Sequence, residues 1–536
     1  MSFKLENYYD AENKIWYGKS EHEYFSKDQS IGEIIFREMK RHPKLIAQIS
    51  DTENTTLMRE ELLLNSMRVA SFMRKMDMVQ TDIVGIIARN TTHIFAVAYG
   101  CFFNGIAFHS LNINYDESTI RKLFDITKPR VIFCDGDDYQ KVKAATAHQN
   151  VIIVTMRNHH KGSINIDEVL ATTVEDDFKP SRLEQGINQT LAILCSSGTT
   201  GIPKAVTITN SHKIFNYRPL TINDVQYTPS TLDWVTGLLT TVNSGVYSTL
   251  RVINDNLFDP VRMLRMIEKY KITWLLQPPS HLAMIANCKE IDEANLKSIR
   301  CYMYGGGRTS IEAQNSIRSR LQTDCMTMVY GMTEVGTMAA INQNFDQKPN
   351  SAGPVVDGMK IKILNEQNET LGPNEVGEIC VNNGQHWPGY YGNPEESMKI
   401  KDSEGWFHSG DLGYVDDDGY LYVIERKKDM LKYQNIMYYP TEIEQIISQM
   451  PDVAEVCVFG IWNQFNGDEA AAAVVKKPGS QIQAQDVVDF VERHTDAKYK
   501  QLNGGAVIVD ELVHSANGKT NRVGTKAYFL DIKDRN

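Results

Sequence analysis

Residues 195–204 read Cys-Ser-Ser-Gly-Thr-Thr-Gly-Ile-Pro-Lys, a run that packs much chemistry into little chain. Ser196, Ser197, Thr199 and Thr200 bring hydroxyl donors, Gly198 and Gly201 leave backbone N–H groups open to approach, and Lys204 brings a cation. Those are the parts that wrap a polyphosphate. Pro203 stands where a Walker A loop needs its second glycine, so the run is a different kind of loop. The same composition also suits a flexible Ser/Gly/Thr turn. The lysine and proline fixed after the glycine tilt the balance towards an anion, and motifs further along the chain carry most of the weight.

Four further patterns stand downstream in order. They are Gly305-Gly306-Gly307 with Tyr330-Gly331-Met332-Thr333-Glu334, then Gly405-Trp406-Phe407-His408-Ser409-Gly410-Asp411, then the segment from Arg426 to Glu444, and Asn517-Gly518-Lys519. Together with residues 196–204 they resemble the signature motifs of the adenylate-forming superfamily, which includes acyl-CoA synthetases, coumarate–CoA ligases and firefly luciferases. The resemblance spans roughly residues 30–525. It implies an α/β fold with a large N-terminal AMP-binding domain, residues 1–427, and a small mobile α+β lid, residues 428–536. The activity implied is an ATP-dependent acyl-CoA ligase that makes an acyl-AMP from a fatty or aromatic acid, releases pyrophosphate, and passes the acyl group to coenzyme A. A luciferase-like monooxygenase and a catalytically weak acyl-adenylate-binding relative are the alternatives. No Ser-bearing carrier domain comes after the lid, which favours CoA over a carrier protein as acceptor.

The resemblance also assigns roles. Activating a carboxylate means bringing two anions together and neutralising charge on both. Lys204 with Ser196, Ser197, Gly198, Thr199, Thr200 and Gly201 would hold the β- and γ-phosphates, Thr333 the α-phosphate, and Glu334 a Mg²⁺, a hard cation suited to oxygen ligands. Gly305, Gly306, Gly307 and Tyr330 would lie against the adenine, since glycines let a flat ring come close, and Gly331 would belong to the same nucleotide site. Asp411 would accept from the ribose hydroxyls, and Arg426 would reach the ribose or phosphate side. Lys519 would enter from the lid and bridge the substrate carboxylate and the α-phosphate. Lys428 aligns with the hinge, Lys432 and Asn435 with the pantetheine tunnel, and Trp234 and Gly237 with the acyl pocket. Several positions depart from the usual pattern: Ala205, Asn210, Ser211 and Trp234 around the acid pocket, Asn435 where the lid normally has glycine, and His514-Ser515 before the final lysine. Asparagine tolerates positive φ better than most residues, so the lid turn survives that change.

These residues must be carried by regular elements. Apolar runs at 82–88, 131–134, 151–155, 189–195 and 272–276 read as buried strands, and the segments 116–126 and 260–270 as helices between them. Such alternation predicts a largely parallel sheet. From about Gly353 the texture turns β-rich, with strands at 360–364 and 376–381 and an Asp-Gly hairpin joining 411–415 to 420–424. The charged run 425–429 is the candidate linker, and 442–450 and 484–494 are helices of the lid around strands at 453–459, 470–475 and 506–509.

The 536 residues are enough for several domains, at roughly 150 residues each. A formal charge of −11 argues against a general nucleic-acid binder, which needs a Lys/Arg excess. The eight cysteines are scattered with no CxxC spacing, so neither a zinc site nor a disulfide framework is indicated. No secretory h-region opens the sequence, and residues 94–108 are too short and too broken to span a bilayer. The closing Asp534-Arg535-Asn536 is not an SKL-type signal, leaving peroxisome or cytoplasm as the expected compartment.

Overall fold

The computed structural model describes residues 7–19, 25–26, 28–196, 203–211, 220–307, 309–323, 325–434, 436–495, 497–515 and 519–535. Strands within them form four sheets. The first runs, in spatial order, Lys204–Thr209, Thr190–Ser196, Ala107–Ser110, Ile83–Ile87, Val131–Cys134, Ile152–Thr155 and Ile164–Asn165. It is parallel except for its edge hairpin, Thr190–Ser196 with Lys204–Thr209. Its central strands are buried along their whole length, and Ile83–Ile87 and Val131–Cys134 accordingly read as unbroken apolar runs, whereas Ala107–Ser110, with His109 and Ser110, does not.

The second sheet runs Thr337–Asn342, Met326–Met332, Cys301–Gly305, Trp274–Gln277, Val225–Tyr227, Leu250–Ile253, Ile46–Ser50 and Thr55–Met58. It is parallel inside, with an antiparallel strand at each edge. Helices Ile31–Arg41, Ile94–Asn104 and Val235–Val246 pack on one another and share a single apolar core with both sheets. Ile94–Asn104 is buried all round, so the apolar stretch noted in the sequence is a core helix, ended by Gly105 at φ +67 and followed by the strand Ala107–Ser110.

The third sheet is antiparallel throughout: Asn7–Asp10, Ile15–Gly18, Lys360–Leu364, Gly377–Asn382, Phe407–Val415 and Leu421–Arg426. Its first two strands were not expected. They are four residues each in a polar stretch, and Trp16 alone anchors them fully, at 1 % exposure beside its register partner Ile361. A strand that short is read only from an unbroken apolar run, and Asn7–Asp10 and Ile15–Gly18 are not such runs. This sheet joins the second one at Gly353, which pairs with Leu421 while Ile341 N–H donates to Pro354 O at 3.1 Å.

The fourth sheet belongs to the C-terminal part and holds Ile436–Tyr438, Leu431–Tyr433, Gly467–Lys476, Val453–Asn463 and Gly505–Val509. Helices Pro440–Ile447 and Ala484–His494 cover it through Ile443, Ile447, Val487 and Val491. The first helix begins two residues earlier than the apolar pattern suggests. Pro440 is suited to a first helical turn, and Glu442 turns back to accept from Tyr439 N–H at 3.2 Å. The last helix, Arg522–Arg535, was not expected either; among its residues of described burial only Thr525 and Phe529 are tightly buried, too thin a stripe to show in the sequence. No helix among the described residues is long and apolar enough to cross a membrane.

Gly353 has φ +93, and a Cβ there would stand 2.0 Å from Ile341 O. Gly353→Ala is therefore expected to destabilise the chain by about 2–4 kcal/mol in urea titrations, from positive φ and overpacking together. A loss under about 0.5 kcal/mol, ordinary for a surface site, would show that the two sheets do not meet tightly there.

Candidate active site

The edge hairpin of the first sheet sets Ser196 directly opposite Lys204. Ser197, Gly198, Thr199, Thr200 and Gly201 lie between them, outside the described residues. Lys204 Nζ is 2.6 Å from Glu396 Oε2 and 4.9 Å from the centre of the Tyr390 ring. Tyr390 Oη donates to Glu334 Oε1 at 2.7 Å. Burial first, and Glu334 second, raise the Tyr390 pKa far above that of a free phenol, so it stays a donor. The segment carrying Tyr390 and Glu396 is laced to the strand that carries Lys204. Tyr391 N–H donates to Ala205 O at 2.8 Å, Thr207 Oγ1 to Gly389 O at 2.6 Å, and Trp387 Nε1 to Thr207 O at 3.0 Å.

Tyr390 and Glu396 were missed in the sequence. Neither sits in a motif, and the available signal, Asn393-Pro394-Glu395-Glu396, reads only as a helix start. It is one: helix Pro394–Ile400 is capped by Asn393.

Asp411 lies in strand Phe407–Val415 at 8 % exposure. Arg426 is its cross-strand register partner, and Arg426 Nε is 2.7 Å from Asp411 Oδ1. From the second sheet Tyr330 Oη donates to Asp411 Oδ2 at 2.8 Å. Burial raises the Asp411 pKa above the ordinary carboxylate value; Arg426, then Tyr330 and Lys519, pull it back. Thr333 and Glu334 follow Tyr330 in the 3-10 turn Thr333–Val335, with Glu334 buried and Thr333 half-buried.

Lys519 comes from the C-terminal part. A Cβ added at Gly306, where φ is +87, would stand 2.6 Å from Lys519 Cε and 2.9 Å from its Nζ. The lysine tip thus rests on the bare face of the glycine turn. Gly305 is bare for another reason: a Cβ there would strike Val329 Cγ2 and O at 2.5 Å. Gly307 is open, with Pro279 3.6 Å from where a Cβ would be, and Gly331 approaches Thr337 O. Burial, then the Arg426 charge, lower the Lys519 pKa, and Asp411 opposes them. Ser515 holds the lysine's turn, giving both its N–H, at 2.7 Å, and its Oγ, at 2.9 Å, to Lys519 O. Asn517 and Gly518 lie outside the described residues.

The connection is the 3-10 turn Lys427–Asp429. Lys428 has its pKa lowered by burial, with Asp429 and Asp411 opposing and Arg426 adding to the loss. Two contacts cross near it. Thr441 Oγ1 donates to Ile424 O at 3.2 Å, and Arg522 reaches both Glu425, 3.3 Å away, and Glu444, 2.7 Å away. Lys432 is exposed on strand Leu431–Tyr433, and Asn435 lies outside the described residues. Trp234 is half-buried just before helix Val235–Val246. Gly237 is buried in that helix with its bare face on Thr231 O, 2.0 Å from a notional Cβ, so the close approach it permits is to backbone. Asn210 donates to Gln189 O at 3.1 Å, and Ser211 Oγ to Gln385 Oε1 at 3.0 Å.

Residues 35–391 match the family model of the AMP-binding enzyme, and residues 442–519 match that of the AMP-binding enzyme C-terminal domain. The chain belongs to the AMP-binding enzyme family, within the adenylate-forming superfamily. Its relatives include luciferin 4-monooxygenase of Photuris pensylvanica, 27 % identical over 95 % of this chain and 97 % of that protein. They also include 4-coumarate–CoA ligase 1 of Petroselinum crispum, 26 % identical over 89 % of each. Among solved structures, ATP-bound MatB from Rhodopseudomonas palustris has the same fold, with TM-score 0.84, 22 % identity, and coverage of 94 % of this chain and 100 % of that one.

In this AMP-binding enzyme the Asp411 carboxylate is buried and ion-paired with Arg426, whose own side chain is half-exposed. Arg426→Ala leaves that carboxylate to Tyr330 and the charge of Lys519 and raises its pKa further. The added cost falls on the ionised form alone, so it is full above the variant's folded pKa and vanishes below the parent's. The variant is expected to lose about 1–2 kcal/mol at pH 7.5, discounted for solvent screening, and clearly less at pH 4.5. Urea titrations at the two pH values decide it; an equal loss at both would mean the pair carries no charge coupling.

Proposed function

We propose that this AMP-binding enzyme is an ATP-dependent acyl-CoA ligase acting on a hydrophobic carboxylic acid. The observation that carries the reading is the seat of Lys519. It brings a cation from the C-terminal part onto Gly306, beside Asp411 and Arg426. A cation there is placed to draw a carboxylate and an α-phosphate together in the first step, in which the carboxylate oxygen bonds to phosphorus and pyrophosphate leaves. In the second step the CoA thiol attacks the acyl carbon, AMP leaves, and the thiol proton is lost.

In this reading the body is residues 1–427 and the lid 428–536. Thr333 faces the α-phosphate, and Lys204, Ser196 and the intervening loop take the β- and γ-phosphates. Asp411 exchanges its Tyr330 and Arg426 partners for ribose hydroxyls. Gly305–Gly307 and Tyr330 flank the base. Glu334 fits Mg²⁺: it is buried, one oxygen is already oriented by Tyr390, and Mg²⁺ is commonly held by one or two carboxylates plus substrate phosphates. The ion would supply charge neutralisation on the leaving pyrophosphate. The buried, uncharged helix Val235–Val246 supports a hydrophobic acid, with Trp234 and Gly237 at its start. Eight free cysteines, most of them buried, fit a reducing compartment, cytosol or peroxisome.

The experiment is a carboxylic-acid panel scored by AMP release with and without CoA. The reading expects CoA-dependent turnover on a fatty or aromatic acid. Oxygen consumption with light, indifferent to CoA, would move the chain to the monooxygenase reading instead. On the best acid, Lys519→Ala is expected to lose at least about a hundredfold in adenylate formation while keeping most of the transfer from a supplied acyl-AMP. Equal losses in both half-reactions would remove Lys519 from its role.

The lid must turn for the thiol to enter, and Lys427–Asp429 is the short connection about which it turns. Proline matches the φ of a 3-10 turn, so Lys428→Pro holds the pivot near the orientation described. Adenylation is expected to persist and thioester formation to fall at least tenfold. Unimpaired thioester formation in that variant would place the pivot elsewhere.

A further inference from the structure

Lys204 is already engaged. Its ammonium is 2.6 Å from Glu396 Oε2, and the other oxygen of Glu396 is 2.6 Å from Lys399 Nζ. One carboxylate therefore bridges two lysines. Its position is imposed by the backbone. Asn393 Oδ1 accepts from Glu396 N–H at 3.2 Å, Tyr390 N–H donates to Ser397 Oγ at 2.8 Å, and Ser397 Oγ donates to Asn393 O at 2.7 Å. The same segment is laced to the strand of Lys204 through Tyr391 and Thr207. Lys204 and Glu396 are each about one-third exposed, so phosphate oxygens can reach the lysine from solvent. Lys204 first and Lys399 second hold the Glu396 carboxyl down at about 2, so the bridge is ionised at any working pH.

We propose that Glu396 is the resting counter-ion of Lys204, released to Lys399 when a polyphosphate binds, and that this exchange sets the affinity for ATP and for pyrophosphate. The inference rests on the reading of Lys204 as a polyphosphate-binding lysine. The physics is competition for one ammonium. A phosphate chain gains Lys204 only by displacing a carboxylate fixed beside it, and the displaced carboxylate keeps its second cation. Binding is weakened by the strength of the broken pair, and so is retention of the leaving pyrophosphate. Glu396 acts through Lys204 and is a positioning residue. AMP has no β- or γ-phosphate, so its binding lies outside the exchange.

Titration calorimetry on the full chain with MgATP, inorganic pyrophosphate and AMP tests this. Glu396→Gln is expected to tighten MgATP and pyrophosphate by about three- to fivefold, the worth of a partly exposed ion pair, and to leave AMP unchanged. Lys399→Met leaves Glu396 wholly to Lys204 and is expected to weaken MgATP and pyrophosphate about twofold or more, again sparing AMP. Opposite signs in the two variants are the signature; a general loss of structure would weaken all three ligands together. If Glu396→Gln weakens MgATP and pyrophosphate, or leaves them unchanged while Lys204→Met weakens both, the counter-ion exchange is wrong and the phosphate role of Lys204 stands. If Lys204→Met leaves both ligands untouched, the role of the lysine fails, and the exchange with it.

Discussion

A carboxylate held at 8 % exposure has to be met by donors and cations, and Asp411 is met from three directions. Tyr330 donates from the second sheet, Arg426 from the neighbouring strand of the third, and the charge of Lys519 reaches it from the C-terminal part. Burying an ion costs several kcal/mol unless such partners are in place. The demand ties together pieces that are otherwise separate. The strand end at Tyr330, the hairpin pairing Asp411 with Arg426, and the turn bearing Lys519 all have to converge for this one group to stay charged.

A second polar chain runs beside the first. Glu334, Tyr390, Lys204, Glu396 and Lys399 are linked in that order by hydrogen bonds, a cation–ring contact and ion pairs. With Asp411 and Lys519 included, the candidate site takes at least one residue from each of the four sheets or the units built on them. Each sheet is rigid because its strands are buried or paired. The precision of the site therefore depends on joints between sheets, such as Gly353 against Ile341 and the lacing of Gly389–Tyr391 to Ala205–Thr207.

Elements with a full period were legible. Helices 260–270 and 484–494 and strands 131–134 and 360–364 fall where their patterns put them, because each has enough residues to show an apolar face or run. The hairpin 7–18 and the last helix escaped, since one tryptophan and one phenylalanine carry most of their burial. In the site, Tyr330, Asp411, Arg426 and Lys519 stand in motifs and converge in space. Their pairings did not show in the sequence: Tyr330 meets Asp411 across 81 residues and Lys204 meets Glu396 across 192. Side chains that complete such pairs need only reach and charge, and many exposed glutamates have both. That is why Glu396 looked like any acid in a first helical turn.

Arg522 touches a carboxylate on either side of the Lys427–Asp429 connection, Glu425 before it and Glu444 beyond. Glu425 is 8 % exposed, and burial raises its pKa while Arg522 opposes the rise. Any rotation about 427–429 carries Arg522 and Glu444 together and leaves Glu425 behind. In the proposed reading the arrangement acts as a detent. In the proposed turn of the lid the Arg522–Glu425 pair breaks along with the Thr441–Ile424 and Lys519 contacts, and Glu425, the buried member, is left to water or another cation.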